Sequence, residues 1–139
     1  MHHPKSFVIA SSVVVFVLAA ASTSAAPEPK STFSGYLVDK QCADSVREDS
    51  DPVDFIKHHT KDCSLMINCR RKGYSLYVKP DWYNLDKHGN KLAIKLLQNS
   101  KRRNAFYVEV EGPVKTGVLR VKSMKEIPEP TELVSPETK

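Results

Sequence analysis

The feature that most constrains this chain is the placement of its cysteines, which all fall in one stretch, at Cys42, Cys63 and Cys69. The same stretch contains two adjacent histidines, His58 and His59. Three cysteines allow one disulfide and leave one thiol over. Because 139 residues are enough for one domain and not for two, we expect a single domain whose chemistry is concentrated here.

The N-terminal residues have the pattern of a secretory signal peptide. A weakly cationic start is followed by an apolar run at residues 7–21, and Thr23 and Ala25 stand at the positions that a signal peptidase recognises. The run is shorter than the ~20 residues that a membrane-spanning helix requires. We therefore predict that residues 1–25 are cleaved after Ala25, and that the mature protein is secreted or periplasmic without a stable membrane anchor.

Five strands are predicted from runs of aromatic and β-branched residues. They cover residues 33–39, 74–78, 82–86, 105–111 and 118–124. In the fourth strand Phe106, Val108 and Val110 occupy alternate positions, which indicates one buried face. In the last strand Leu119 and Val121 are expected to point inward.

A helical insert is predicted between the first two strands. A polar loop at residues 40–51 leads to Asp51-Pro52, a pair that is typical of a helix start. Thr60 is expected to cap a second helix at residues 61–71, which Gly73 would end.

One further helix is predicted between the third and fourth strands. After a turn at residues 87–90, residues 91–100 have apolar side chains on a single helical face. These side chains are Leu92, Ala93, Leu96 and Leu97.

The order of the predicted elements indicates the fold class. Five strands with a helix between the third and the fourth is the order of an OB-fold barrel. We therefore predict a mainly β, OB-fold-like domain at residues 33–127, preceded by a linker at residues 26–32. The alternative is a generic α+β sheet with one helix packed on it. Residues 128–139 contain too little apolar surface to pack and are expected to be disordered.

The first strand and the insert carry a sequence pattern. It consists of Gly35-Tyr36-Leu37-Val38-Asp39, Cys42, His59-Thr60-Lys61-x-Cys63, Cys69 and Gly73-Tyr74. The pattern resembles that of a family of small secreted bacterial proteins, and the similarity covers residues 33–127. The resemblance implies a compact OB-like β-barrel in an exported protein, and it implies no particular activity.

A disulfide is expected from export, because compartments outside the cytosol are oxidising. If residues 61–71 form one helix, Cys63 and Cys69 lie on different faces, ~9 Å apart along the axis. A disulfide needs Cα atoms within ~7 Å. We therefore expect Cys42 to pair with Cys63 or with Cys69, which would stabilise the domain by roughly 3 kcal/mol. The remaining thiol could link two chains into a dimer.

A metal site is an alternative use of the same stretch. If a helix runs through His59, then His59, Cys63 and Met66 share one face, and His58 or another cysteine, such as Cys69, could complete the set. Imidazole, thiolate and thioether are soft ligands that suit copper. Copper or haem is the cofactor that such ligands could hold, although the sequence requires neither. The spacing does not match the paired ligands of a structural zinc site.

Cys63 also stands where a thiol can be reactive. With Thr60 as the N-cap, Cys63 takes the third helical position, where the helix N-terminus lowers the pKa of a thiol. His59 is adjacent, but no third group that would orient a Cys–His pair can be identified. The sequence therefore favours a protein that is not an enzyme.

The aromatic residues of the second and third strands are candidates for a ligand-binding face, because OB-folds bind oligonucleotides or oligosaccharides there. These residues are Tyr74, Tyr77, Trp82 and Tyr83. Strand alternation places half of them in the core, and an exported protein is not expected to meet nucleic acid. A small ligand or a protein is the expected partner.

These observations favour a secreted or periplasmic OB-like binding or structural module that is held by one disulfide. The alternative is a small copper-type metal-binding protein, or a thiol-redox protein, that uses the His/Cys/Met cluster of the insert. The formal net charge of +5 promotes solubility and does not choose between the two functions.

Overall fold

The computed structural model describes residues 31–131. The predicted signal peptide, most of the predicted linker and the predicted tail from residue 132 onward lie outside the described residues. Within the described part, no helix has the length and apolar character needed to cross a bilayer.

The strands and helices of residues 31–131 follow one another in an order close to the predicted one. The strands are β1 (Thr32–Asp39), β2 (Tyr74–Val78), β3 (Asp81–Leu85), β4 (Tyr107–Glu111), β5 (Val114–Lys115), β6 (Val118–Leu119) and β7 (Ser123–Glu126). The helices are α1 (Lys40–Val46), α2 (Val53–His58), α3 (Lys61–Ser64), α4 (Ile67–Lys72) and α5 (Lys87–Asn99).

The strands form one sheet in the order β5-β6-β3-β2-β1-β4-β7. β6 pairs in parallel with β3, where Leu85 faces Leu119, and β7 pairs antiparallel with β4, where Val110 faces Met124. β6 and β7 therefore lie near opposite ends of the strand order, yet only residues 120–122 separate them in the chain. The sheet has to curl back on itself, and the protein is a mainly β half-barrel with helices.

Both faces of β1 are buried, and they belong to different apolar clusters. Leu37 joins the cluster that α5 covers with Ala93 and Leu97. Tyr36 and Val38 point to the opposite face and join a cluster that includes residues of α1 and α2. The period of two along a strand produces this division. α1 and α2 thus pack on the sheet face opposite to α5, whereas the chain just after α3 packs against the cluster on the α5 face.

The β-rich class, the helical insert after β1 and the helix between β3 and β4 are confirmed, but the structure has seven strands instead of five. The predicted inward side chains of the later strands are also confirmed. Their exposed fractions are 2% for Phe106, 0% for Val108, 0% for Val110, 0% for Leu119 and 4% for Val121.

The insert differs from its prediction in two places. The predicted polar loop at residues 40–51 begins with α1, because Asp39 caps a helix there. The predicted helix at residues 61–71 is two helices, since the chain becomes extended at Met66, with a ψ of 146° between α3 and α4. Gly73 ends α4 with a φ of 93°, a left-handed value that suits glycine.

The predicted turn at residues 87–90 is also wrong, because these residues form the first turn of α5. Asp86 accepts a hydrogen bond from the backbone N–H of Gly89 at 2.8 Å and acts as the N-cap. The predicted strand at residues 118–124 is divided into β6 and β7, and the short β5 was not predicted.

Candidate metal centre

Two side-chain helix caps place two of the cysteines. At the end of β1, Asp39 Oδ1 accepts a hydrogen bond from the backbone N–H of Cys42 at 3.1 Å and begins α1. After α2, Thr60 Oγ1 accepts one from the backbone N–H of Cys63 at 3.3 Å and begins α3. Such caps satisfy amides that have no partner within the helix. Each cysteine therefore occupies the third position of its own short helix.

The starts of α1 and α3 and the end of α2 bring three ligand atoms together. Cys42 Sγ, a ring nitrogen of His59 and Cys63 Sγ all lie within 4.8 Å of one another. The two thiols are therefore direct neighbours in this group. Both cysteines are partly exposed, whereas the His59 side chain is only 7% exposed. Two sulfurs and one imidazole thus converge where the helices of the insert meet.

Asp39 fixes the orientation of His59. Its Oδ2 lies 2.6 Å from Nε2 of His59, and its carboxylate is fully buried. Because an ionised carboxylate only accepts hydrogen bonds, Nε2 is the donor, which leaves Nδ1 as the ring nitrogen on the side away from Asp39. The ring also stacks on Phe55, with centroids 5.7 Å apart. A ring that is held in this way is typical of metal-binding histidines.

Asp39 places a negative charge beside the group. Burial opposes its ionisation, but the hydrogen bonds from His59 and from the N–H of Cys42 outweigh burial and lower the pKa of Asp39. The thiol of Cys69 also lies beside this carboxylate. An ionised carboxylate at this position favours a neighbouring cation.

The same surroundings keep two of the thiols protonated. Burial, the charge of Asp39 and the neighbouring Cys63 raise the pKa of Cys42 to about 12. Burial and the charge of Asp39 raise the pKa of Cys69 to about 11. The thiolate is the nucleophilic form of cysteine, so these surroundings do not favour catalysis by Cys42 or Cys69.

Two members of the predicted metal set, His59 and Cys63, lie in the group, but for a different reason from the predicted one. They do not share one helix face. α2 ends at His58, and both His59 and Thr60 have extended backbones before α3 begins. The bend at these two residues brings the imidazole to the start of α3.

The other predicted ligands lie elsewhere. Met66 is 57% exposed and stands at the junction before α4. Cys69 is buried outside the group and contacts Asp39. The His58 side chain is 77% exposed, and its Nδ1 lies 2.8 Å from the carbonyl oxygen of Asp54. Cys42 supplies the second sulfur of the group.

All three cysteines, Cys42, Cys63 and Cys69, are free thiols in this structure, so the predicted disulfide is not formed. Of the two pairings that were expected for Cys42, the structure brings Cys42 next to Cys63. Cys69 belongs to α4, which is separate from α3, and its thiol contacts Asp39 instead.

The four aromatic candidates for a ligand face divide between the two faces of the sheet. Tyr74 is 1% exposed, and its hydroxyl donates a hydrogen bond within the core. Tyr83 packs on Phe33 beside the same cluster, with centroids 5.2 Å apart. Tyr77 and Trp82 belong to the opposite face and pack on each other, with centroids 4.7 Å apart. The four residues therefore do not form one surface.

Sequence reasoning missed Asp39 as part of the site and did not single out Cys42 as a metal ligand. A signal for both was present. Asp39-Lys40-Gln41-Cys42 and Thr60-Lys61-Asp62-Cys63 each place a capping residue three positions before a cysteine. Recognition of Asp39 as an N-cap would have replaced the polar loop with a helix. It would also have placed the two cysteines in equivalent positions.

Two sulfurs and an imidazole are a donor set that is typical of soft and borderline cations, such as Cu(I) and Zn(II). Comparisons of the chain with protein-family models, with curated proteins and with solved structures found no significant match.

Proposed function

We propose that this protein is an exported OB-like domain that binds one soft metal ion, most tightly Cu(I), through Cys42, His59 and Cys63. The observation that carries the proposal is the convergence of the three ligand atoms within 4.8 Å of one another, with the imidazole held by a buried carboxylate. With metal–sulfur bonds of about 2.3 Å, three ligands in one plane lie about 4 Å apart. Small side-chain movements are therefore sufficient to bind an ion.

The number and type of donors favour Cu(I) over zinc. Cysteine sulfur selects soft ions, and a structural zinc site has four protein ligands. The group contains three His, Cys, Asp or Glu ligands from the described part of the chain, so a zinc ion would keep an open position. Nδ1 of His59 is the nitrogen assigned to the metal, because Nε2 is bound to Asp39.

The connectivity of the strands supports the OB-like part of the proposal. β1, β2 and β3 form an antiparallel meander, and β4 pairs with the other side of β1. Residues 118–126 pair in parallel with β3 through β6 and antiparallel with β4 through β7. If β6 and β7 are counted as one bent strand, the order agrees with an OB-fold, with β5 as a short addition. The resemblance to small secreted bacterial proteins supports export as well as this fold.

A second possible function depends only on the two sulfur atoms of the group and does not involve His59. If Cys42 and Cys63 are oxidised to a disulfide, the protein is a stapled structural or binding module instead of a metal-binding protein. The contact between the two thiols supports this pairing. Closing a loop of about 20 residues would stabilise the fold by roughly 3 kcal/mol. Because the bridge consumes both sulfur ligands, the two states exclude each other.

Titration with Cu(I) against a chromogenic chelator, under anaerobic and reducing conditions, tests the first function. The wild-type protein should bind one Cu(I) per chain. Cys42→Ser, Cys63→Ser and His59→Ala should each weaken binding by more than the ~10–100-fold that is typical of changes around the ligands.

The chain offers two matched controls for this titration. His58→Ala removes the adjacent, exposed histidine, and Cys69→Ser removes the thiol outside the group. Both variants should keep nearly the wild-type affinity. Full Cu(I) binding by both Cys42→Ser and Cys63→Ser, or an equal loss in Cys69→Ser, would contradict the metal site.

Mass spectrometry after alkylation without reduction tests the second function. A cross-linked Cys42–Cys63 peptide with an alkylated Cys69 supports the staple. Three alkylated cysteines in protein that was purified under air would exclude it.

A further inference from the structure

Four aromatic side chains form a row across the sheet face on which α1 and α2 pack. The strand register places Tyr107 opposite Tyr36, Tyr36 opposite Tyr77, and Tyr77 opposite Trp82. The ring centroids of Tyr36 and Tyr107 are 4.9 Å apart, and those of Tyr77 and Trp82 are 4.7 Å apart. Cross-strand aromatic pairs of this kind stabilise a sheet. The three tyrosines of the row also line a cleft.

This cleft has a volume of about 180 Å³. Its walls include Tyr36, Tyr77 and Tyr107 from the sheet and Lys57 from α2. Glu129, from the segment that follows β7, also lines it. Aromatic surface combined with a small number of placed polar groups is typical of sites that bind small organic ligands.

The cleft already holds a carboxylate, that of Glu129. The hydroxyl of Tyr36 donates a hydrogen bond to Oε1 of Glu129, and Nζ of Lys57 lies 3.0 Å from the same oxygen. Arg102 does not line the cleft and pairs with Glu126 at 2.7 Å. The hydroxyl of Tyr36 and the cation of Lys57 therefore make this end of the cleft suitable for a carboxylate.

We propose that this cleft binds a small free organic acid, whose carboxylate replaces that of Glu129 between Tyr36 and Lys57 and whose ring lies along the tyrosines. The volume of about 180 Å³ is below the range of about 300–1,000 Å³ that drug-sized ligands occupy. A single-ring acid therefore fits better than an oligosaccharide. Glu129 is an intramolecular competitor, and the site opens when it leaves.

An NMR titration with benzoate tests the proposal, with benzamide as an uncharged probe of the same shape. Glu129→Ala removes the competing carboxylate, so benzoate no longer has to displace it from its charge-assisted contacts. This variant should therefore bind benzoate about tenfold more tightly than the wild-type protein. The saturable shifts should centre on the amides of Gly35, Tyr36 and Tyr77. Benzamide should cause no saturable shift.

Two further changes, each in the Glu129→Ala background, test the contacts. Tyr36→Phe keeps the ring and removes the hydroxyl, and it should weaken benzoate binding by about fivefold or more. Lys57→Met removes the cation and should weaken benzoate binding at least as much. If Tyr36→Phe does not fold, Lys57→Met alone tests whether the cleft binds the carboxylate.

Three outcomes overturn the site: no saturable benzoate shift at the cleft of Glu129→Ala, equal shifts with benzamide, or full affinity after loss of the Lys57 cation. Equal benzoate affinity of wild-type protein and Glu129→Ala overturns the role of Glu129 as a competitor.

The cleft and the metal group can be tested separately. Cys63→Ser removes a proposed metal ligand and does not line the cleft. It should bind benzoate like the wild-type protein, whether or not the wild-type protein binds Cu(I). A large change of benzoate affinity in Cys63→Ser would contradict the separation of the two sites.

Discussion

Asp39 joins the fold to the candidate metal group through three contacts. One carboxylate oxygen caps α1 at the N–H of Cys42, and the other binds Nε2 of His59. The thiol of Cys69 makes the third contact. An amide side chain cannot replace this carboxylate, because one of its two polar atoms donates hydrogen bonds instead of accepting them.

Asp39→Asn should lower the affinity for Cu(I) by about 10–100-fold. An amide NH₂ that faces His59 forces the proton of the ring onto Nδ1, the nitrogen assigned to the metal. The substitution should also lower the free energy of unfolding by about 2 kcal/mol, because buried hydrogen bonds to a charged group are lost. Chelator competition measures the first effect, and urea unfolding of the metal-free protein measures the second.

Asp86→Ala is the control, since Asp86 also caps a helix but lies outside the metal group. It should lower the stability and leave the affinity for Cu(I) unchanged. If both variants lose the same affinity, Asp39 acts only through the general stability of the fold.

At the residue scale, the sequence pointed to His59 and Cys63 of the candidate metal group but did not single out Cys42. Convergence of the three depends on α1, which begins after Asp39, and on the extended backbone at His59 and Thr60. Leu65 and Met66, at the break between α3 and α4, are good helix formers. Local propensity therefore predicted a continuous helix, and tertiary packing of the insert on the sheet decided otherwise.

At the element scale, the approach of α5 to the curled sheet depends on one glycine. A Cβ atom at Gly89 would lie 2.4 Å from Cγ2 of Val121, which is too close for a real contact. The N–H of Val121 donates a hydrogen bond to Asp86, the cap of α5, at 3.3 Å. The first turn of α5 is thus fitted against the segment between β6 and β7.

Gly89→Ala should destabilise the protein by about 1–3 kcal/mol, the usual cost of overpacking. This effect opposes the gain of about 1 kcal/mol in helix propensity that alanine otherwise brings. In the double variant Gly89→Ala/Val121→Ala, the loss should be smaller than the sum of the single losses, because the clashing methyl group is gone. Urea unfolding of the four proteins measures this difference.

Gln98→Ala, at an exposed position of α5, serves as the control and should change the stability by no more than about 0.5 kcal/mol. An increase in stability for Gly89→Ala would show that the helix and the sheet are not in close contact at this point.

The start of α5 also shows why element boundaries were misjudged. His88-Gly89-Asn90 has the composition of a turn, and the capping side chain of Asp86 was the competing signal. Glycine is needed at position 89 because a side chain there would collide with Val121. Val121 is distant in sequence, so no local pattern reveals this requirement. The apolar face of the same helix, with Ala93 and Leu97 buried, was visible because its period is local.

At the scale of the whole molecule, the order of the elements was predictable and the closure of the sheet was not. Alternation within the β4 segment indicated its buried face correctly. The division of residues 118–126 into β6 and β7 arises because one part pairs with β3 and the other with β4. Both partners are distant in sequence from the part that they bind, so the local pattern shows one strand.

The segment after β7 is attached to the domain through Glu129, which composition alone did not indicate. The hydrogen bond from Tyr36 and the charge of Lys57 hold the pKa of Glu129 below its ordinary value of 4.5. A carboxyl group with a lower pKa in the folded chain stabilises the fold above its unfolded pKa. It loses this contribution as the pH falls through the folded value.

The free energy of unfolding of the wild-type protein should therefore decrease as the pH falls below about 4.5, and Glu129→Gln should make this decrease smaller. Urea unfolding at a series of acidic pH values measures the slope. Glu48→Gln, at an exposed position after α1, is the control and should keep the wild-type slope. An identical slope in Glu129→Gln would show that the segment is not held by this carboxylate in solution.

The most direct test of the metal site is X-ray absorption at the copper edge of the Cu(I)-loaded protein. We predict two sulfur ligands and one nitrogen ligand per copper, with metal–sulfur distances of about 2.3 Å. The same spectrum should be obtained from Cys69→Ser. A shell of three sulfur atoms, or one of nitrogen and oxygen only, would contradict a site formed by Cys42, His59 and Cys63.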